Sequence, residues 1–81
     1  MDQADLRRVV RRKLAAGELP HDLPRIWGCA GTGEECDACG ELITSYQTLF
    51  EGISPTDKRG VHLHVACLCV WDMERDAPGR I

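Results

Sequence analysis

Two short motifs of cysteine and histidine constrain this chain more than any other feature. The first is Cys36-Asp37-Ala38-Cys39-Gly40, a C-x-x-C followed by glycine, and the second is His64-Val65-Ala66-Cys67, an H-x-x-C. Between Cys39 and His64 lie 24 residues, Gly40 to Leu63. Two short ligand pairs separated by such a segment are typical of a tetrahedral structural zinc site.

The spacing within each motif has a physical reason. Thiolates of Cys36 and Cys39 on one tight turn can both point at one ion, with Zn–S distances of about 2.3 Å, and Gly40 lets the backbone adopt the positive φ that such a turn usually needs. His64 and Cys67 are three positions apart, so on a helix they share a face and can reach the same ion. The sequence therefore predicts one structural Zn2+ bound by Cys36, Cys39, His64 and Cys67.

Other interpretations of these residues stay open. A C-x-x-C can be a redox pair, but that needs a thioredoxin-like βαβ context, which the pattern does not indicate. A disulfide framework is a second alternative, although five cysteines are an odd number and we recognise no secretory signal, and unrelated buried thiols are a third. His62 could replace His64 as a ligand. We interpret Cys29 as a spare thiol, and we expect Cys69, about 200° round the helix from Cys67, to pack against the N-terminal helix.

Length and composition predict a small globular domain with a thin core. A chain of 81 residues buries only about 60–65% of its unfolded surface, and only 5% of these residues are aromatic, so a bound metal would add stability that the core lacks.

The net charge of -3 is unevenly distributed. Residues 1–20 carry five basic and three acidic side chains, and the remaining residues carry five basic and ten acidic side chains. A basic N-terminal segment followed by an acidic remainder of the chain argues against a dedicated non-specific nucleic-acid binder. We see no apolar run that could span a membrane, and reduced thiols fit a cytoplasmic location.

The N-terminal residues predict an amphipathic helix over residues 1–16, with Leu6, Val9, Val10 and Leu14 in one apolar stripe. The helix carries four arginines, which are Arg7, Arg8, Arg11 and Arg12. They form either a solvated face or a surface that contacts phosphate or an acidic protein. Residues 19–35 contain two prolines and three glycines and predict an extended, irregular connection. Because its apolar side chains are too many for a free linker, we expect it to pack across the domain with Trp27 as a core anchor.

After the C-x-x-C-G, residues 41–53 predict a strand, residues 54–60 a turn, and Val61 to Leu63 a return strand with His62 on the opposite face. A helix is predicted from about His64 to Glu74 or Arg75. The predicted fold class is α+β. It consists of a zinc knuckle, the C-x-x-C-G turn at residues 36–40, followed by a β-hairpin and a helix, with an added N-terminal helix. The predicted organisation is an N-terminal amphipathic helix at 1–18, a Pro/Gly-rich connection at 19–35, a zinc-binding domain at 34–76 and a tail at 77–81.

This order of knuckle, hairpin and ligand-bearing helix resembles the treble-clef zinc finger. The pattern Cys36-x2-Cys39-x24-His64-x2-Cys67 is similar to the first zinc site of LIM domains and to the finger of poly(ADP-ribose) polymerases. The chain as a whole resembles small uncharacterised bacterial zinc-finger proteins that combine a basic helix, an L-P link, a glycine stretch, C-x-x-C-G and a final H-x-H-x-x-C…W segment. The resemblance implies a fold and a metal site but no partner, because treble clefs bind DNA, RNA and proteins alike.

Two functions follow as expectations. The first is a non-enzymatic zinc-binding module that acts as a protein-interaction adaptor or regulator. The second is a nucleic-acid-binding regulator that uses the basic helix, with support from Lys58 and Arg59. Catalysis is disfavoured because four ligands close the zinc site and because His62-Leu63-His64 lacks the Glu of the H-x-E deaminase signature. No small-molecule substrate is indicated.

Overall fold

The computed structural model describes residues 2–75, which form an α+β fold with two helices and two antiparallel sheets. The elements are α1 (Gln3–Ala15), β1 (Ile26–Ala30), β2 (Glu34–Glu35), β3 (Leu42–Ile43), β4 (Thr48–Ile53), β5 (Gly60–His64) and α2 (Val65–Arg75). One sheet has the order β1-β4-β5, and the other pairs β2 with β3. Within the described residues, neither helix combines the length and the apolar character needed to cross a membrane. The predicted tail at 77–81 lies outside the described residues.

Helix α1 confirms the amphipathic helix that the sequence predicts. Asp2 caps its N-terminus, where the carboxylate accepts a hydrogen bond of 2.9 Å from the Asp5 N–H. Leu6, Val10 and Leu14 are buried at helical spacing. This stripe packs into the same core as the knuckle and the sheet, so α1 is an integral part of the described fold.

The connection after α1 is only partly irregular, and here the sequence prediction is wrong. Residues Ile26–Ala30 form strand β1, which pairs antiparallel with β4 from Ile26 opposite Gly52 to Ala30 opposite Thr48. The prolines and glycines obscured this strand, because Pro24 and Gly31 flank it and Gly28 lies at its centre. Leu19 and Leu23, before the strand, are buried as expected.

Trp27 is not the core anchor that its size suggests, because 43% of its surface is exposed. Its cross-strand neighbours are Glu51 and, one strand further, His62. This row lies on the opposite face of the sheet from Val61 and Leu63, which are buried. The buried tryptophan is Trp71 of α2, whose indole N–H donates a 2.7 Å hydrogen bond to the Pro20 carbonyl.

The single strand predicted over residues 41–53 is two strands separated by a turn. The Gln47 N–H donates to the Thr44 carbonyl at 3.0 Å, and the Gln47 side-chain oxygen accepts from the Thr44 N–H at 2.9 Å. Because of this turn, β3 pairs with β2 in the small sheet, whereas β4 belongs to the larger sheet. The chain crosses itself closely here: a Cβ on Gly31 would lie 2.3 Å from the Thr44 carbonyl oxygen, so only glycine fits.

Strand β5 and helix α2 confirm the predicted return strand and C-terminal helix. Strand β5 pairs antiparallel with β4, and Val61 and Leu63 face the core while His62 faces the other way. Helix α2 follows β5 without a gap at Val65 and ends, among the described residues, at Arg75. The strand end and the first helical turn therefore meet next to the knuckle.

Candidate metal centre

The structure brings the four predicted ligands together. The Sγ atoms of the three cysteines and a ring nitrogen of the histidine all lie within 4.8 Å of one another, in a group formed by Cys36, Cys39, His64 and Cys67. Cys36 and Cys67 are buried, and the other two side chains are half-buried. Three thiols and one imidazole in this arrangement could hold a metal ion.

The knuckle between β2 and β3 is held by its own backbone. The Gly40 N–H donates to the Cys36 carbonyl at 3.0 Å, and the Cys36 N–H donates to the Glu41 carbonyl at 2.9 Å. Gly40 has φ 81°, the positive value that the C-x-x-C-G motif predicts. This turn orients the side chains of Cys36 and Cys39 toward the same point.

A side chain from α1 also fixes the knuckle. The Lys13 ammonium donates to the carbonyls of Asp37 and Ala38 at 2.9 and 3.1 Å. These two residues are the x-x of the C-x-x-C, so one cation joins the N-terminal helix to the knuckle. No local pattern in the sequence indicates this contact, because it joins residues 24 and 25 positions apart.

A backbone carbonyl orients His64. Its Nε2 lies 3.2 Å from the Leu42 carbonyl oxygen, which can only accept, so Nε2 carries the proton. The other nitrogen, Nδ1, then presents its lone pair 3.4 Å from Cys39 Sγ and 3.8 Å from Cys67 Sγ. Metal-binding histidines are commonly oriented in this way by a hydrogen bond from the second ring nitrogen.

Because the three thiols lie close together, the pKa of one is lowered and the pKa values of the other two are raised. The pKa of Cys36 is lowered to about 4, mainly because its sulfur accepts a hydrogen bond from the Cys67 thiol. The pKa of Cys67 is raised by that same hydrogen bond and by burial, and the pKa of Cys39 is raised chiefly by burial. One thiolate thus opposes the ionisation of the other two, and a bound cation would remove this repulsion.

The cluster is accessible from one side. A groove is lined by three residues of the cluster, Cys39, His64 and Cys67, together with Leu6 and Thr48. An ion could therefore reach the ligands through this groove without unfolding of the chain.

His62, the alternative ligand, lies outside the cluster. Its Nε2 is 3.1 Å from a carboxylate oxygen of Glu51, and its Nδ1 is 4.0 Å from Asp37. His62 and His64 face the same side of β5, but only His64 reaches the thiols. The candidate ligand pair is therefore the H-x-x-C, and His62 is not part of the cluster.

The remaining cysteines, Cys29 and Cys69, are both free and exposed. Cys29 is a spare thiol, as predicted. Cys69 lines a groove with Gln3 and Leu6 of α1, but it is exposed there and is not buried against the helix as expected. Two further exposed apolar residues, Val65 and Met73, lie one helical turn to either side of it.

The arginines of α1 are mostly engaged with carboxylates. Arg7 Nε lies 2.9 Å and Arg11 Nε 2.5 Å from the two oxygens of Glu74, whose side chain is only 2% exposed. These two hydrogen bonds, led by that from Arg11, lower the pKa of Glu74. Arg8 pairs with Asp5 at 3.2 Å. Sequence reasoning missed Glu74, because its partners lie 67 and 63 positions away.

Comparison of the chain with protein-family models, with curated proteins and with solved structures finds no match.

Proposed function

We propose that this chain is a non-enzymatic, zinc-stabilised module of the treble-clef kind that binds another protein as an adaptor or regulator. The proposed ligands of one structural Zn2+ are Cys36, Cys39, His64 and Cys67. Tetrahedral zinc with Zn–S near 2.3 Å and Zn–N near 2.0–2.1 Å places sulfur and nitrogen about 3.6 Å apart. The separations of 3.4 and 3.8 Å from His64 Nδ1 bracket that value, which supports tetrahedral coordination of one ion by these residues.

The donor set supports a structural role for the metal. Catalytic zinc keeps three protein ligands and one open position, whereas four protein ligands leave none. The order of knuckle, two paired strands and a helix that follows His64 directly also supports the treble-clef assignment. The zinc would add its binding free energy to a thin core, and its chemistry at this site would be to join the knuckle to the base of α2.

The observation that carries the protein-binding proposal is an exposed apolar row on α2. Val65, Cys69 and Met73 follow one another at intervals of four residues and form what we call the α2 row. Val65 and Met73 are 48% and 51% exposed, and Cys69 is exposed as well. An apolar row of this kind fits an apolar surface of another protein better than it fits a phosphate backbone.

The arginine contacts favour a protein over nucleic acid as the partner. Arg7 and Arg11 share the buried Glu74, and Arg8 pairs with Asp5, so three of the four arginines are already close to a carboxylate. Phosphate binding would have to compete with those ion pairs. The basic helix is thus better explained as a support for α2 than as a nucleic-acid surface.

The metal half of the proposal is tested by native mass spectrometry, with circular dichroism before and after a strong chelator. We expect one zinc per chain and loss of secondary structure on chelation. A metal-free chain that remains fully folded would refute the structural zinc, and the C-x-x-C thiols would then be titrated as a redox pair.

The binding half is tested by affinity capture on the immobilised full chain, with each captured protein then measured as a purified component. Met73→Asp should weaken binding at least about tenfold, because it places a charge in the α2 row. Tyr46→Asp is the matched control, since Tyr46 is 98% exposed but lies in the turn before β4. Binding of nucleic acid that falls steeply with salt and is unaffected by Met73→Asp would favour the alternative function.

A further inference from the structure

The three-stranded sheet has two edges, and the knuckle closes one of them. At the β5 edge, the Asp37 N–H donates to the His62 carbonyl at 2.8 Å. The His62 N–H in turn donates to a carboxylate oxygen of Asp37 at 2.7 Å. The outward-facing backbone groups of His62 therefore already have partners, and this edge offers no place for another strand there.

Within the part of the chain that the structure describes, the opposite edge, β1, is open. The Gly31 N–H donates to the Gln47 carbonyl at 3.0 Å, which continues the pairing of β1 with β4. Because hydrogen-bonded pairs alternate along an antiparallel ladder, Trp27 and Cys29 bond to β4, whereas the N–H and C=O groups of Ile26, Gly28 and Ala30 point outward. Among residues 2–75, these outward-pointing groups have no partner in a backbone hydrogen bond.

Strand β1 also lacks the features that protect sheet edges. All five of its residues are exposed, and the segment Ile26-Trp27-Gly28-Cys29-Ala30 contains no charge and no proline. Natural proteins usually blunt a free edge with charged residues, proline or a bulge. An unprotected, apolar edge of this kind is a template for one further strand.

We propose that β1 pairs antiparallel with β1 of a second copy of this chain, and so joins two three-stranded sheets into one of six strands. The strand is complementary to itself when Gly28 lies opposite the partner's Gly28. Ile26 then lies opposite the partner's Ala30, and all three outward-facing residues of each copy form hydrogen-bonded pairs. A two-fold axis through the glycine pair makes the interface isologous, as in most homodimers.

The side chains fit the same register. Trp27 lies opposite the partner's Cys29 on one face, so the exposed indole gains a cross-strand neighbour. Because β1 contains no charged residue, no like charges face each other across the two strands.

The first test is sedimentation of the full, zinc-loaded chain over a range of concentrations, with Ala30→Pro as the disrupting variant. Proline at position 30 removes an outward N–H but none of the bonds to β4, which come from Cys29 and Gly31. We expect a dimer whose dissociation constant rises at least about tenfold in Ala30→Pro. Met73→Asp, on α2, is the control that should leave the dimer intact. Circular dichroism reports whether each variant is folded.

A second test reads the register directly and does not depend on the proline variant. Trp27→Cys, in a Cys69→Ser background, places a thiol opposite the partner's Cys29 in a non-hydrogen-bonded pair, where Cα atoms are about 4.5 Å apart and a disulfide can form. With oxidised glutathione as the oxidant, we expect a covalent dimer on a non-reducing gel. Adding Cys29→Ser to the same variant should abolish it, because the new thiol then lies opposite serine.

Three results would overturn the proposal: a chain that stays monomeric at every concentration, a dimer that dissociates in Met73→Asp but not in Ala30→Pro, and cross-linking that is equal with and without Cys29→Ser. The dimer does not rest on the protein-binding proposal, since β1 and the α2 row are tested by different variants.

Discussion

His62 and His64 show how the ligand is selected at the scale of single residues. They lie two positions apart on β5 and face the same side of the sheet, so the alternation of the strand does not distinguish them. The distinction comes from their hydrogen-bond partners. The Leu42 carbonyl fixes the His64 ring with Nδ1 toward the thiols, whereas Glu51 and Asp37 hold His62.

Substitution of each histidine in turn tests this selection. His64→Ala should lower zinc affinity at least about 100-fold, because it removes a ligand, which costs more than loss of an orienting group. His62→Ala, the matched control, should keep one zinc per chain and near-normal affinity. Competition with a chromophoric chelator measures both. Equal losses in the two variants would contradict the assignment of His64.

At the scale of elements, helix α1 contacts the core, the knuckle and helix α2. Its stripe of Leu6, Val10 and Leu14 lies in the core. Lys13, in its last turn, donates to the two carbonyls of the knuckle, and Arg7 and Arg11 hold the buried carboxylate of α2. The helix therefore supports both halves of the metal site, although it supplies no ligand.

The variant Lys13→Met should separate this support from ordinary surface charge. It keeps the apolar stem but removes two charge-assisted hydrogen bonds, so we expect the free energy of unfolding to fall by about 2 kcal/mol. Arg12→Met, one position away, should change it by less than about 0.5 kcal/mol, since Arg12 forms no ion pair within residues 2–75. Urea unfolding of the zinc-loaded proteins gives both values. Similar losses in both variants would mean that the knuckle contacts contribute little.

At the scale of the whole molecule, one buried carboxylate links the two ends of the chain. Glu74 lies near the C-terminal end of α2, and its two arginine partners lie near the start of the chain. Removing such a partner leaves charged groups without their counter-charge, which is why a buried ion pair is costly to break. Stability should therefore depend on the ionisation of Glu74.

This dependence has a definite sign. The pKa of Glu74 is lowered from its usual 4.5 by the hydrogen bonds from Arg11 and Arg7, so its carboxylate stabilises the fold above pH 4.5, and that contribution is lost as the pH falls through the lowered pKa. Glu74→Gln should cost about 1–2 kcal/mol at pH 7, because solvent screens the half-exposed arginines. The difference from the parent chain should shrink as the pH falls below 4.5.

Thermal or urea unfolding at several pH values measures this difference. Asp5→Asn is the matched control, because it removes an exposed carboxylate paired with Arg8 on α1 and should change stability by less than about 0.5 kcal/mol at any pH. A cost for Glu74→Gln that stays constant down to pH 3 would contradict the assigned ionisation.

The sequence predicted the local features well and the long-range contacts poorly. The amphipathic α1, the knuckle glycine with its positive φ, the strand β5 and the helix α2 each depend on neighbouring residues and follow from periodicity or turn chemistry. Strand β1 was missed because it contains Gly28 and is flanked by Pro24 and Gly31, which are all signals of irregular structure. The exposure of Trp27 and Cys69 was misjudged, because size and hydrophobicity alone do not say which face of an element is covered.

By itself, the sequence determined the candidate ligands, since the spacings C-x-x-C and H-x-x-C limit which side chains a single turn and a single helical face can bring together. Only the tertiary structure decided that His64 and not His62 joins the thiols, that Lys13 joins α1 to the knuckle and Glu74 joins it to α2, and that β1 is left as the open sheet edge of the described fold. These features arise from contacts between residues far apart in the chain. Their geometry depends on how whole elements pack, which no local pattern encodes.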